Sequence, residues 1–206
     1  YFIMKKALII LHQNRSIPGD LGNKLIKRKY HLIIKRPCLG CELPKNLDEY
    51  SLIAILGGPI SVNDNKDYIN YEIEWMKIVL ESGKPFLGIC LGAQILAKYL
   101  GCKVEKNTSK LSEIGFFSVI PTKAGKEIFK QQNYFYQFHD EGFELPLHSI
   151  LLATGDRFKY QAFKYKNCYA FQFHPEVNFY LHLRWLYFVL LTHPKKLFQK
   201  GAQNIF

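Results

Sequence analysis

Gly88-Ile89-Cys90-Leu91-Gly92-Ala93-Gln94 is the stretch on which the fold turns. Pro85 to Ile89 is a short apolar run of strand character, and Leu91 to Leu100 carries helical spacing up to Gly101, a suitable helix stop. A strand that passes directly into a helix at a cysteine, with glycines on either side, is the thiol counterpart of a nucleophile elbow. Small neighbours permit the sharp turn and leave the sulfur accessible. The start of a helix also favours a thiolate, because unpaired N–H groups and the helix dipole stabilise negative charge there. The bland alternative is a cysteine acting as a small buried hydrophobe. Two flanking glycines make that less natural.

Working outward, Lys5 to Leu11, Tyr30 to Lys35 and Ser51 to Leu56 are short apolar runs bounded by turn formers. They suit strands buried on both faces. Gly19 to Arg28 carries a weak helical pattern. Tyr68 to Glu81 repeats Ile69, Ile73, Met76, Val79 and Leu80 at helical spacing and stops at Ser82-Gly83. Alternation of strand and helix predicts an α/β fold: a mostly parallel sheet with helices on both sides. The C-terminal half adds strand candidates at Glu113 to Pro121, Tyr134 to Phe138, Ile150 to Thr154, Tyr160 to Tyr165 and Tyr169 to Phe173. A closing helix, Phe179 to Leu191, is expected to be buried. No linker, repeat or low-complexity run divides the chain, so one domain over residues 1–206 is expected. Met4 is taken as the start, with Tyr1, Phe2 and Ile3 as a cloning remnant.

Two further motifs fall at strand ends. Gln172-Phe173-His174-Pro175-Glu176 closes an alternating run, where side chains two residues apart project from one face. Pro175 ends ladder hydrogen bonding, so a base at His174 would be oriented by a carboxylate at Glu176. Gly57-Gly58-Pro59 follows another strand, and its glycines allow close backbone approach to a ligand. Alone, the first is weak and the second is an ordinary turn. Together with the elbow, all three lie at strand C-terminal ends, the edge where open α/β sheets build sites.

In that combination and order, the three motifs resemble the class I glutamine amidotransferase family over nearly the whole chain. The resemblance implies a flavodoxin-like fold and a triad of Cys90 as nucleophile, His174 as base and acid, and Glu176 as its orienting group. It implies an oxyanion hole from the backbone N–H groups of Gly58 and Leu91. Gln94, Gly57 and His139 are the implied substrate-binding residues, and the substrate is glutamine or another γ-glutamyl compound. Within the family, the chain is similar to stand-alone domains related to the glutaminase part of GMP synthase. Residues 57–62, Glu113-Ile114-Gly115, the run from Phe138 to Pro146 and Gly201-Ala202-Gln203 carry that likeness. Two departures stand out: Ala170 where relatives usually carry glycine, and Asp140 where a small residue usually follows the histidine. The second falls near the implied amino-acid pocket.

This chemistry calls for no cofactor and no metal. The chain has neither a Walker-type phosphate loop nor an SGG-type pyrophosphatase motif, so ammonia transfer would need a separate synthase chain or diffusing ammonia. Other outcomes stay open: a γ-glutamyl hydrolase of peptides or amines, a non-catalytic module that keeps the fold, and His139 as a rival base beside Asp140 and Glu141. Cys38-Leu39-Gly40-Cys41 supplies two of zinc's usual four ligands, with only His12 and His31 to recruit. Reduced thiols in a loop are preferred.

Hydrophobic residues at 48% and charged residues at 22% describe an ordinary globular protein. A net charge of +11 is spread rather than blocked, the densest clusters being Lys27 to Lys29 and Lys195–Lys196. No nucleic-acid-binding motif accompanies it, so no nucleic-acid partner is expected. No run approaches a membrane span of ~20 apolar residues, since Val177 to Leu191 is broken by His182 and Arg184. With no export signal and five irregularly spaced cysteines, a cytoplasmic setting with free thiols is expected.

Overall fold

The computed structural model describes residues 4–109, 111–131 and 133–192. Tyr1 to Ile3, Lys195–Lys196 and Gly201-Ala202-Gln203 lie outside them. The chain begins with β1 (Lys6–Ile10), α1 (Gly19–Lys27), β2 (His31–Lys35), β3 (Tyr50–Ile55), α2 (Asp67–Ser82), β4 (Phe86–Ile89) and α3 (Leu91–Tyr99). Then come β5 (Val104–Glu105), β6 (Glu113–Pro121), α4 (Lys126–Phe129), β7 (Asn133–His139) and β8 (Gly142–Phe143). Finally β9 (Ile150–Thr154), β10 (Tyr160–Tyr165), β11 (Cys168–Phe171) and α5 (Phe179–Thr192) follow.

The main sheet runs in the order β2-β1-β3-β4-β11-β10-β9-β6-β7. From β2 to β11 every junction is parallel, and beyond β11 every junction is antiparallel. Strand β11 therefore joins the open α/β half to the extra strands of the C-terminal half. Alternate residues of β1 serve opposite faces: Leu8 and Ile10 pack with Ile69, Met76 and Val79 of α2, while Ala7 and Ile9 pack toward Leu25 of α1. That two-sided burial is why residues 7–10 of β1 and 52–55 of β3 are continuously apolar rather than alternating.

Three differences from the sequence expectations follow from local physics. The elements β5, β8 and α4, and the single turn at Pro37–Leu39, are too short to show a period. The last ladder strand stops at Phe171, short of the expected Phe173, and His174 instead makes a single antiparallel bridge, its N–H donating to Tyr136 O at 2.8 Å. Helix α5 was expected to be buried and is not. Only Leu181 and Val189 of its apolar residues are buried, whereas Phe179, Tyr180, Tyr187 and Leu191 are mostly exposed. One face packs on the antiparallel half and, among the described residues, nothing covers the other. No helix among those residues is long and apolar enough to cross a membrane.

Candidate active site

The strands β3, β4 and β11 are neighbours in the sheet, and their C-terminal ends carry Gly57-Gly58, Cys90 and His174. Cys90 occupies the turn between β4 and α3 with φ 52° and ψ −106°, a left-handed conformation uncommon for a residue with a side chain. Its N–H donates to Phe171 O of β11 at 2.7 Å, and its carbonyl accepts the N–H of Gln94 at 3.0 Å. Gly92 makes the turn feasible. A β-carbon there would lie 2.0 Å from Ile55 O, so only glycine lets α3 seat against the end of β3.

His174 and Glu176 face each other after the chain has left β11. Nδ1 of His174 lies 2.8 Å from Oε1 of Glu176, and both side chains are almost fully buried. The imidazole also lies within electrostatic reach of the Cys90 sulfur. A β-carbon on Gly57 would lie 2.8 Å from His174 Cε1 and 3.5 Å from Cys90 Cβ, so both side chains converge over this glycine. Burial acts to lower the His174 pKa, but the facing Glu176 carboxylate and the Cys90 sulfur outweigh it and raise it to about 10. The edge-on Trp185 ring of α5, 5.0 Å away at 88°, closes the other side of the imidazole. Glu176 is held through its backbone, its carbonyl accepting the Asp20 N–H at 2.9 Å. Asn178 continues the anchor by donating to Asp20 at 2.8 Å and capping α5 through the Leu181 N–H at 2.9 Å.

The N–H groups of Gly58 and Leu91 find no acceptor among the described residues. Both residues line a cavity of about 420 Å³ that also touches Cys90, Gln94, Lys106, His139 and Glu141. Gln94 lines it with Nε2 already donating to Glu141 O at 3.1 Å and to Gln172 Oε1 at 3.2 Å. His139 lines it too, but its nitrogens are engaged by protein: Nδ1 with Glu141 O at 2.9 Å, Nε2 with Glu113 and Gln137 at 3.0 Å each. The structure therefore separates His139 from Cys90's immediate partners and sets His174 there. Asp140 lies at the same cavity, paired with Lys106 at 3.0 Å. The Glu141 carboxylate accepts from Ser61 Oγ at 2.6 Å and Asn63 at 3.4 Å. A second, smaller cavity of about 170 Å³ reaches Cys90 from the His174 side and is walled by Leu11, Leu56, Phe138 and Trp185.

Sequence reasoning gave no catalytic role to three residues that the structure brings into the site. Gln172 directs its amide at Cys90 Sγ (3.7 Å), and it begins the His-Pro-Glu motif without a flanking signal of its own. Trp185 sits on a helix with no motif. His12 follows β1 and reaches the carbonyl of Gly57, with no turn former or proline beside it in sequence. The two thiols of the C-x₂-C pair are separate: Cys41 is exposed, and Cys38 is half-buried, directed at Leu11 O at 3.9 Å. Among the described residues no group of three or more potential ligands is placed to hold a metal.

An open α/β sheet here brings a cysteine elbow, a buried His–Glu pair and a glycine loop together at adjoining strand ends. The model of the glutamine amidotransferase class-I family matches residues 14–187, and the chain belongs to that family. It is 33% identical over 174 residues to a glutamine-hydrolyzing GMP synthase of Wigglesworthia glossinidia brevipalpis, covering 77% of this chain and 30% of that protein. It is 30% identical over 166 residues to one subunit of the glutamine-hydrolyzing GMP synthase of Sulfurisphaera tokodaii, covering 78% of this chain and 86% of that one. The chain thus spans under a third of the first relative and most of the second. Among solved structures, a glutamine amidotransferase of Thermotoga maritima superposes with a TM-score of 0.87 at 28% identity, over 95% of this chain and 86% of that chain.

Proposed function

We propose that this chain is a single amidotransferase domain that hydrolyses the γ-amide of glutamine to glutamate and ammonia through a thioester on Cys90. The observation that carries the proposal is the buried His174, held by Glu176 at 2.8 Å and converging with Cys90 over Gly57 beside an open cavity. The raised His174 pKa favours an imidazolium facing a thiolate. The thiolate attacks the γ-carbonyl carbon, and the carbonyl π electrons move onto oxygen, to which the N–H groups of Gly58 and Leu91 donate hydrogen bonds. His174 passes its proton to the nitrogen, the C–N bond breaks, ammonia leaves, and a γ-glutamyl thioester remains. Neutral His174 then takes a proton from water as hydroxide adds to the same carbon. The second oxyanion collapses, the C–S bond breaks, the γ-carboxylic acid leaves and gives its proton to solvent to become glutamate, and the thiolate–imidazolium pair is restored.

The cavity supplies groups for the amino-acid end. The carboxylates of Glu141 and Asp64 suit an α-ammonium, and Lys106 suits an α-carboxylate. Ammonia would pass to a separate synthase chain, in keeping with the Sulfurisphaera relative being named as one subunit of such an enzyme. A second substrate class is favoured by one observation: the apolar cavity on the His174 side of Cys90 offers space for a larger amine leaving group. The test is to incubate purified protein with glutamine and a panel of γ-glutamyl amines and peptides and to measure glutamate released. Glutamine should be preferred, and Cys90→Ala should abolish release. Wild-type rates in Cys90→Ala would sink the thioester mechanism. A strong preference for a γ-glutamyl conjugate would replace the substrate.

A further inference from the structure

His12 follows β1 and Glu72 lies on α2, and neither takes part in the chemistry above. Yet both side chains have no solvent exposure, and His12 Nε2 lies 2.9 Å from Glu72 Oε2. The other ring nitrogen, Nδ1, lies 3.3 Å from the carbonyl oxygen of Gly57. A carbonyl only accepts, so Nδ1 carries the hydrogen and donates it. The second Glu72 oxygen is buried with no partner among the described residues. Taking such a pair out of water is costly and a poor source of stability, so its placement points to a task other than holding the fold.

That task follows from peptide geometry. None of the peptide bonds among the described residues is cis. In a trans peptide the C=O and the following N–H point in opposite directions. A Gly57 carbonyl held toward His12 therefore turns the Gly58 N–H away from His12, toward the cavity that Gly58 shares with Cys90. The imidazole packs tightly below: a β-carbon on Gly58 would lie 2.7 Å from His12 Cβ. Between two glycines a peptide meets little steric resistance to flipping, and a flipped one would present its carbonyl oxygen, an acceptor, to a developing oxyanion.

We infer that His12 and Glu72 are a positioning pair that locks the Gly57–Gly58 peptide with the Gly58 N–H facing the reaction centre. Glu72 fixes the ring, and the ring fixes the carbonyl. The inference rests on the proposed amide hydrolysis, and it concerns the transition state rather than substrate binding. His12→Ala should lower kcat by ~10²–10³, the usual loss for one oxyanion donor. KM for glutamine, and the rate at which iodoacetamide alkylates Cys90 without forming an oxyanion, should stay within about threefold. His12→Asn, whose amide can still donate to Gly57, should recover at least about tenfold of the lost kcat. Glu72→Gln, which keeps volume and a hydrogen-bonding group, should lie between wild type and His12→Ala and serves if His12→Ala does not fold. A kcat within about threefold of wild type in both His12→Ala and Glu72→Gln overturns the lock, as does alkylation falling in step with kcat, or Asn no better than Ala. If the wild-type protein cleaves no γ-glutamyl compound, the proposed function fails by itself. Crystal structures of wild type and His12→Ala then decide the lock: an unchanged Gly57–Gly58 peptide refutes it, and a turned one supports it.

Discussion

His174 is enclosed on every side, and its charge state follows from its two neighbours. Burial opposes the imidazolium, Glu176 and Cys90 favour it, and the balance lifts the pKa from 6.5 to about 10. The imidazole of the unfolded chain loses its proton first as pH rises. The stabilisation is therefore fully present below ~6.5 and is lost progressively as pH climbs to about 10. The comparison variant is the double substitution His174→Gln with Glu176→Gln, which removes both charges and nearly keeps the shape. In urea unfolding, the stability of wild type relative to this variant should shrink steadily across that interval. A constant difference would mean that no proton is held there. The same scale shows what a sequence can reveal. Cys90, His174 and Glu176 were legible because the glycines around the first permit a sharp turn and the proline between the other two fixes the backbone. His12 was not: it follows an apolar strand without any such neighbour, and its partner is a glutamate in a helix, where charge ordinarily faces water.

At the scale of elements, the elbow depends on how closely α3 approaches β3. A β-carbon on Gly92 would meet Ile55 O at 2.0 Å, and backbone cannot give way as a side-chain tip can. Gly92→Ala gains about 1 kcal/mol of helix propensity and loses roughly 1–3 kcal/mol or more to overpacking. The expected result is a lower Tm, by about 2–4 °C for each net kcal/mol in a domain of this size. The fall in kcat should be larger than stability alone explains, because the Leu91 N–H at the start of α3 moves with the helix. Thermal melts and glutaminase kinetics on the variant check both, and wild-type values for both would show that this seat fixes nothing. Strands β1, β3 and β4 were readable as continuous apolar runs because both faces are covered, and α2 because one face is. Helix α5 misled, since its largely apolar sequence predicts burial while most of its large residues stand exposed. Its inner face at least has a use there, with Trp185 against His174.

Across the whole molecule, the two halves of the sheet supply different parts of the site. The parallel half and β11 carry the proposed reacting groups, and the antiparallel half sets the far wall of the cavity. Within the antiparallel half, that wall is braced by a closed ring of four buried side chains. Glu113 on β6 meets His139 at the end of β7 at 3.0 Å, and His139 meets Gln137 at 3.0 Å. Gln137 donates to Gln161 on β10 at 2.8 Å, and Gln161 returns to Glu113 at 3.0 Å. Through Nδ1, His139 also holds the Glu141 carbonyl, so the ring places the carboxylate proposed to receive the substrate's ammonium. None of this was visible from spacing, because the four residues lie on three strands whose order along the sheet no local pattern gives. Glu113→Ala breaks the ring and leaves two polar partners buried without it, at a cost of about 1–3 kcal/mol each. Substrate binding should suffer more than chemistry, since among the described residues the side chains of Cys90, His174 and Glu176 make no bond to the ring, and β7 reaches them through the Tyr136–His174 backbone bridge. KM for glutamine should therefore rise about tenfold or more with kcat within about threefold, alongside a lower Tm. A loss confined to kcat would place the ring with the catalytic groups instead and undo this division between the halves.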